Sequence, residues 1–362
     1  MNARDARAVR GWLLTLWVMV LLMVMIGGIT RLTGSGLSIV EWRPVTGILP
    51  PIGDAAWREA FAAYQQSPQF REQNHWMTLS DFRQIFFWEY VHRLFGRLIG
   101  FAFALPYAYF LWRRTLRGAE ARRIGSALLL GGLQGVVGWY MVKSGLVNEP
   151  RVSHYRLALH LLLGVGVGQW ILWLALDLLA PRAPEQRVRA GLGRAVFGLL
   201  PLLLLQLVYG AFMAGTRAGF IAATFPDING RYAPQAFFVS GSIARDLFDS
   251  PLGIHYLHRA LAALILVYVA ALVWALHKQR FEVRASAYML LAATLGQVAL
   301  GALTVVLHVP IPIAVAHQGA AYIVCSAAVL LLHAALGAAP APTASSASHA
   351  SDATAGNLAR FG

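Results

Sequence analysis

Apolar residues recur in eight long runs along the chain, at 11–29, 86–112, 124–142, 156–180, 194–215, 252–276, 284–309 and 311–336. A bilayer core of roughly 30 Å needs about 20 apolar residues per crossing helix, and every run is of that order. Only a turn around Pro310 and Pro312 parts the last two. The pattern predicts an all-α membrane protein with eight transmembrane helices. Long polar interruptions occur in two places, 30–85 and 216–251. In the first, Asp54 stands as an N-cap, and Trp57, Phe61 and Tyr64 follow at helical spacing. That predicts an amphipathic helix over 54–66, lying along the membrane surface. The second is rich in Gly, Pro, Asp and Asn and reads as an ordered loop.

Composition agrees with this picture and adds an orientation. Charged residues make up only 13% of the 362-residue chain, against about 25% in soluble domains. The net charge of +14 raises nucleic acid as a partner, but the basic residues do not cluster as a groove requires. They sit in alternate loops: Arg4, Arg7 and Arg10, then Arg113 to Arg123, then Arg182 to Arg194, then Lys278 to Arg284. This positive-inside pattern predicts a multi-pass protein in membrane lipid, with both termini cytoplasmic and the two long segments outside. The first run is too long for a removable signal peptide. The single cysteine, Cys325, rules out a disulfide within the chain and a cysteine-only metal site. It reads as a packing residue.

The chain also resembles itself. His92-Arg93 in the second run is matched by His258-Arg259 in the sixth, and His160 in the fourth by His317 in the eighth. Gln134-x-x-x-Gly138 is matched by Gln297-x-x-x-Gly301, and Thr33-Gly34-Ser35-Gly36-Leu37 by Thr216-Arg217-Ala218-Gly219-Phe220. Occurring in the same order, these predict two pseudo-repeated four-helix bundles. The first occupies 11–180 with outer loop 30–85, and the second 194–336 with outer loop 216–251. Residues 1–10 form a cytoplasmic N-terminus, and 337–362 (APAPTASSASHASDATAG and beyond) a low-complexity, disordered tail.

Most of the eleven histidines take a plain reading. His349 is in the tail, His277 and His333 are at cytoplasmic helix ends facing headgroups, and His75, His154 and His308 are in outer loops or turns. His92, His160, His258 and His317 differ, because each lies a few residues inside the outer end of an even-numbered run. Ionisable groups inside a span are costly and usually functional. One such histidine could merely bond a neighbouring helix, but four at one depth, two per half, form the usual axial cage for haem. Small residues a turn away (Gly96, Gly164, Ala262 and Ala321) favour a porphyrin over a compact metal ion, which needs more ligands per site. His255 stands at i−3 to His258 as a further imidazole; the His-Arg repeat selects His258.

The halves differ in one chemical respect. Glu89 precedes His92 by three residues, where the second half has His255 before His258. Glu89 either pairs with Arg93 or Arg97 or accepts protons beside a reacting porphyrin substituent. The asymmetry suggests that one half does chemistry while the other holds a permanent electron-transfer haem. Arg31, Arg217, Arg93 and Arg259 are candidates for the haem propionates; the last two could equally be interface snorkels.

Six stretches make the chain similar to the haem A synthase family over nearly all of 10–336. They are GGITRLTGSGLSIVEWRPVTGILPP, FFWEYVHRLFGR, GWYMVKSGL, YRLALHL, GAFMAGTRAG and AVAHQGA. The resemblance implies an oxidoreductase of the bacterial inner membrane that oxidises the C8 methyl of haem O to the formyl of haem A, for terminal oxidases. Two hydroxylations and loss of water give the aldehyde, and electrons pass through a bound haem B. It further implies Glu89, His92 and His160 as the catalytic set, with His92 and His160 on the substrate iron. His258 and His317 become the axial ligands of haem B. Haem O synthase is the implied candidate partner, and an electron acceptor is required whose identity the resemblance does not supply. Two departures stand out. The cysteine pair of some bacterial members is missing, which places the chain with the cysteine-free proteobacterial and mitochondrial type. Leu257 stands where many relatives have an acidic residue, leaving His258 without an identified supporting partner.

Two rival readings account for the histidines. A di-haem b-type electron carrier without haem modification explains the repeat but not a Glu89 in one half only. A haem transporter would want weaker ligation and an open path.

Overall fold

In the computed structural model of the chain, residues 1–41, 47–147, 150–179, 190–232 and 241–336 are described. The tail from 337 with His349, the loop arginines Arg182, Arg187 and Arg189, and parts of both long outer segments lie outside them. Among the described residues the regular structure is helical, without strands. Eight helices among the described residues are long and apolar enough to cross a membrane. They are α1 (Ala3–Leu32), α3 (Leu79–Trp112), α4 (Gly118–Val147), α5 (His154–Asp177), α6 (Ala190–Thr216), α8 (Pro251–Leu276), α9 (Phe281–Val306) and α10 (Ile311–Leu336). Two shorter helices, α2 (Gly53–Gln65) and α7 (Ile243–Phe248), lie in the long segments.

Helix ends run past the apolar runs wherever a polar cap is available. α1 starts at Ala3 behind Asn2, whose side chain accepts the Asp5 amide at 2.8 Å, so the helix continues through the expected N-terminal segment. α3 starts seven residues before its apolar run, because Thr78 and Asp81 close a capping box. α8 is capped by Ser250 with Pro251 in its first turn. The α9–α10 turn uses His308 and Val309 at φ 61° and 60°, and Pro312 falls inside the first turn of α10 rather than in the turn itself.

The amphipathic helix expected over 54–66 forms at Gly53–Gln65 and differs from the expectation in two respects. Its N-cap is Ile52, not Asp54. Gly53 takes φ +80°, a geometry open to glycine, and the cap falls two residues before the expected one. Asp54 then sits in the first turn, where the helix dipole favours it, and pairs with Arg83 at 3.1 Å. The apolar stripe is spent on α3 rather than on lipid. Trp57 meets Phe86 edge-on at 5.0 Å, and Tyr64 stacks on Phe82 at 5.3 Å.

Neighbour relations follow one scheme in each half. α1 packs on α3 and α5, and α4 on α3 and α5; likewise α6 packs on α8 and α10, and α9 on α8 and α10. The seam is made by α5 against α6 and α10, and by α1 against α10. With no hydrophobic drive in lipid, such seams rely on small residues and side-chain hydrogen bonds. Gly168 of α5 lets Tyr322 of α10 lie against the helix, where its hydroxyl donates to the Trp17 carbonyl of α1 at 3.2 Å. A Cβ on Gly168 would sit 2.1 Å from that hydroxyl oxygen. Gly168→Ala is therefore expected to cost about 1–3 kcal/mol through overpacking, read as a lowered thermal midpoint in detergent. Gly166→Ala, with open space beside it, should leave the midpoint unchanged.

At the opposite end from the long loops, the reading of His333 as a headgroup residue is corrected. Its side chain is buried (4% exposed) and meets Asp177 of α5 at 3.0 Å, and Arg123 of α4 grips the same carboxylate. The Asp177 carboxylate at the end of α5 draws the ring inward. His154 likewise opens α5 instead of lying in a loop, and faces the Phe248 carbonyl at 3.0 Å.

Candidate functional site

The four selected histidines each rest on a glycine of the adjoining helix. A Cβ on Gly27 of α1 would lie 3.2 Å from the His92 ring of α3, and one on Gly138 of α4 would lie 2.9 Å from His160 of α5. In the second half, a Cβ on Gly210 of α6 would lie 3.4 Å from His258 of α8, and one on Gly301 of α9 2.9 Å from His317 of α10. At Gly138 and Gly301 a side chain would push the ring aside, at Gly27 it would press on it, and at Gly210 it would just touch it. His160, His258 and His317 lie six or seven residues into their helices. His92 is further from the start of α3, which reaches beyond the others to receive α2.

The rings come in pairs. His258 and His317 face each other with centroids 6.5 Å apart, and His92 is close enough to His160 to feel a charge on it. A metal–imidazole bond is about 2 Å. Two such bonds plus the inner halves of two rings add up to a separation of this size. Among the described residues no group of three or more His, Cys, Asp or Glu could hold a compact metal ion. Two opposed imidazoles without further donors suit iron in a porphyrin, whose own nitrogens complete the coordination. The residues therefore fit haem.

Glutamines support three of the four rings. Gln134 donates to the His160 carbonyl at 2.9 Å and lies 3.4 Å from its Nε2. Gln206 donates to the His258 carbonyl at 3.2 Å and lies 3.3 Å from its Nδ1. Gln297 reaches the His317 ring at 3.5 Å, and its backbone carbonyl accepts from His317 Nδ1 at 3.2 Å. That last bond sets the tautomer whose Nε2 carries no proton, so that it can accept from the Gln297 amide or bind a metal in its place. Gln206 is the supporting partner of His258 that sequence reading missed. The signal was present, since Gln206-x-x-x-Gly210 repeats the spacing of the two Gln-x-x-x-Gly motifs already noted.

Glu89 is buried (3% exposed) and fully engaged. One carboxylate oxygen accepts from Ser38 Oγ at 2.7 Å and the Ile39 amide at 2.8 Å; the other accepts from Arg93 at 2.7 Å. Arg93 also donates to the Ile39 and Glu41 carbonyls, so the outer segment is laced to α3 through this pair. The pairing with Arg93, one of the two alternatives for this carboxylate, is thus present. In the second half His255 (0% exposed) occupies the place of Glu89 and accepts from Arg259 at 2.9 Å, and Arg259 donates to the Asp227 carbonyl. The frame is the same, with an imidazole in place of a carboxylate. Tyr64 stands near this region. Burial raises its phenol above the ordinary range, a hydrogen bond from Asn74 opposes this, and the charge of Glu89 adds to it.

Of the four propionate candidates, Arg93 and Arg259 are committed to protein carbonyls and to Glu89 or His255. Arg31 and Arg217 remain. They lie close enough to repel each other, and Arg217 also feels Arg151. Burial and that neighbour hold the Arg217 guanidinium below its ordinary value. Three like charges gathered at the long-loop end of the seam favour an anionic partner. Arg151 was not singled out from the sequence, where it stands alone in a short loop.

A family model described as cytochrome oxidase assembly protein matches residues 10–329. The chain is 42% identical to the haem A synthase of Parvibaculum lavamentivorans, with 90% of this chain and 94% of that one covered. It is 44% identical to the haem A synthase of Bradyrhizobium sp. strain BTAi1, over 90% and 91% of the two chains. The haem A synthase of Wolbachia pipientis wMel is 39% identical, over 91% and 93%.

Proposed function

The chain belongs to this cytochrome oxidase assembly family, and from that premise we propose that it is a haem A synthase, an oxidoreductase that converts the C8 methyl of haem O to the formyl of haem A. It works in the inner membrane with both termini in the cytoplasm and the long-loop end outside. The half built from α1, α3, α4 and α5 binds haem O as substrate between His92 and His160. The half built from α6, α8, α9 and α10 binds haem B between His258 and His317. We read the halves as copies of one four-helix unit.

A single contrast carries the division of labour: Glu89 with Arg93 in one half, His255 with Arg259 in the other, at the same place on the same frame. Oxidising a methyl conjugated with the porphyrin leaves positive charge on its periphery. A carboxylate one turn from the ligating histidine stabilises that charge and accepts the released protons. An imidazole bonded to a guanidinium offers neither. When bound, haem B would pass the four electrons removed from the methyl to an external acceptor. The protein's part is to fix the rings, cover the pocket with α2 and the outer segment while admitting the water that supplies the formyl oxygen, and hold the carboxylate. Ser38, Ile39 and Arg93 keep Glu89 in one position.

The test is pigment extraction from cells that make the chain together with a source of haem O. Haem A should appear. If haem O is recovered unchanged, the di-haem carrier becomes the better description.

Arg31 and Arg217 hold the propionates in this reading. A charge-assisted hydrogen bond is worth about 1.5–3 kcal/mol. Arg31→Ala or Arg217→Ala should accordingly lower haem affinity by about tenfold or more, measured by titrating haem-depleted protein. Arg122→Ala, on the opposite face of the bundle, should not.

A further inference from the structure

One position breaks the fourfold pattern around the histidines. Three of the glycines that seat a ring are preceded at i−4 by glutamine: Gln134, Gln206 and Gln297. The fourth, Gly27, is preceded at i−4 by Met23. The two kinds of side chain fill the same place. Gln134 lies over Gly164, the residue one turn beyond His160, with its Nε2 2.9 Å from where a Cβ would be. Met23 lies over Gly96, one turn beyond His92, with its terminal methyl 3.4 Å from the equivalent point.

The consequence is chemical. An amide at this place donates to the histidine's carbonyl and touches its ring, as Gln134 and Gln206 do. A thioether can do neither: it fills the space softly and adapts its shape. His92 Nδ1 and His160 Nδ1 are both buried without a hydrogen-bond partner, so the difference between them lies at the backbone: Gln134 holds the His160 carbonyl, and Met23 has no amide with which to hold that of His92. An amide that holds the backbone of a ligating histidine fixes the direction of its ring, and loss of such outer partners typically weakens metal affinity on the order of 10–100-fold.

We infer that Met23 is a positioning residue that keeps the first pocket exchangeable. By withholding the amide that the other three histidines receive, it makes His92 the weak ligand. Haem O can then enter and haem A leave, while the second pocket keeps its haem. This rests on the assignment of the first pocket to the substrate, and the measurement separates the two.

Purified full-length protein that retains its resident haem is titrated with ferric haem B as the probe. Release of the second equivalent to apomyoglobin is followed by the Soret shift. Wild type should take up a second, fast-leaving equivalent that His92→Ala abolishes. Met23→Gln should release it about 10-fold more slowly or slower still, and Met23→Leu, which restores no amide, at the wild-type rate. Gln206→Met should conversely make the resident haem extractable. If wild type takes up no second equivalent that depends on His92, the pocket assignment fails and the inference with it. If the second equivalent binds but leaves Met23→Gln at the wild-type rate, the assignment stands and the role of Met23 is overturned.

Discussion

Glu89→Gln is expected to lower the conversion of haem O to haem A by about 100-fold or more, the span of a positioned acid–base group, while the absorption spectrum of the bound haem is unchanged. The substitution keeps the side chain's shape and one oxygen acceptor, so the bonds from Ser38 and Ile39 can survive in part. What it removes is the negative charge and the proton-accepting capacity. Glu89→Ala goes further, because it strips Arg93 of its partner inside a buried pair, and breaking such pairs costs about 3–5 kcal/mol. Comparing the two variants separates chemistry from architecture. If Glu89→Gln works nearly as well as wild type but Glu89→Ala fails, the residue is a strut between α3 and the outer segment and not a participant. Extracted pigments resolved by chromatography give the ratio of haem A to haem O directly.

The second large effect concerns the resident haem. His317→Ala removes one of two facing imidazoles and abandons the bond from Nδ1 to the Gln297 carbonyl. His258→Ala removes the other and leaves Gln206 without its partner ring. Either variant should lose more than about 90% of the haem that copurifies, since a single remaining imidazole forfeits both the second bond and its support. His160→Ala should leave that haem in place and abolish conversion, because Gln134 and His160 serve the other pocket. Haem per chain, measured as the pyridine haemochrome, decides. Equal losses in all three variants would mean that the halves do not hold their haems separately.

Much of this architecture could be read from residues alone, for physical reasons that also explain the misses. Lipid demands continuous apolar helices, so the eight spans stood out by length. The four histidines stood out because an imidazole in that setting is expensive. Helix ends did not stand out: hydropathy marks the apolar slab, whereas α1 and α3 are extended by polar caps at Asn2 and Thr78. The buried place of His333 is not legible because its partner, Asp177, is 156 residues away, a separation that periodicity cannot bridge. Gln206 shares its spacing with Gln134 and Gln297. Comparison of matching helices does not expose it, because the helix matching α6 carries Met23 instead. The arginines at the seam were half legible. Arg31 and Arg217 follow spans directly, while Arg151 joins them only through folding.

The account's central claim is that opposed imidazoles from neighbouring helices clasp iron porphyrin within the bundle. Low-temperature electron paramagnetic resonance of the oxidised, purified protein addresses it most directly. A low-spin ferric signal of iron between two nitrogen ligands, abolished in His258→Ala and His317→Ala, is the predicted result. A high-spin signal in the wild type, or no haem signal after haem has been supplied, would contradict it.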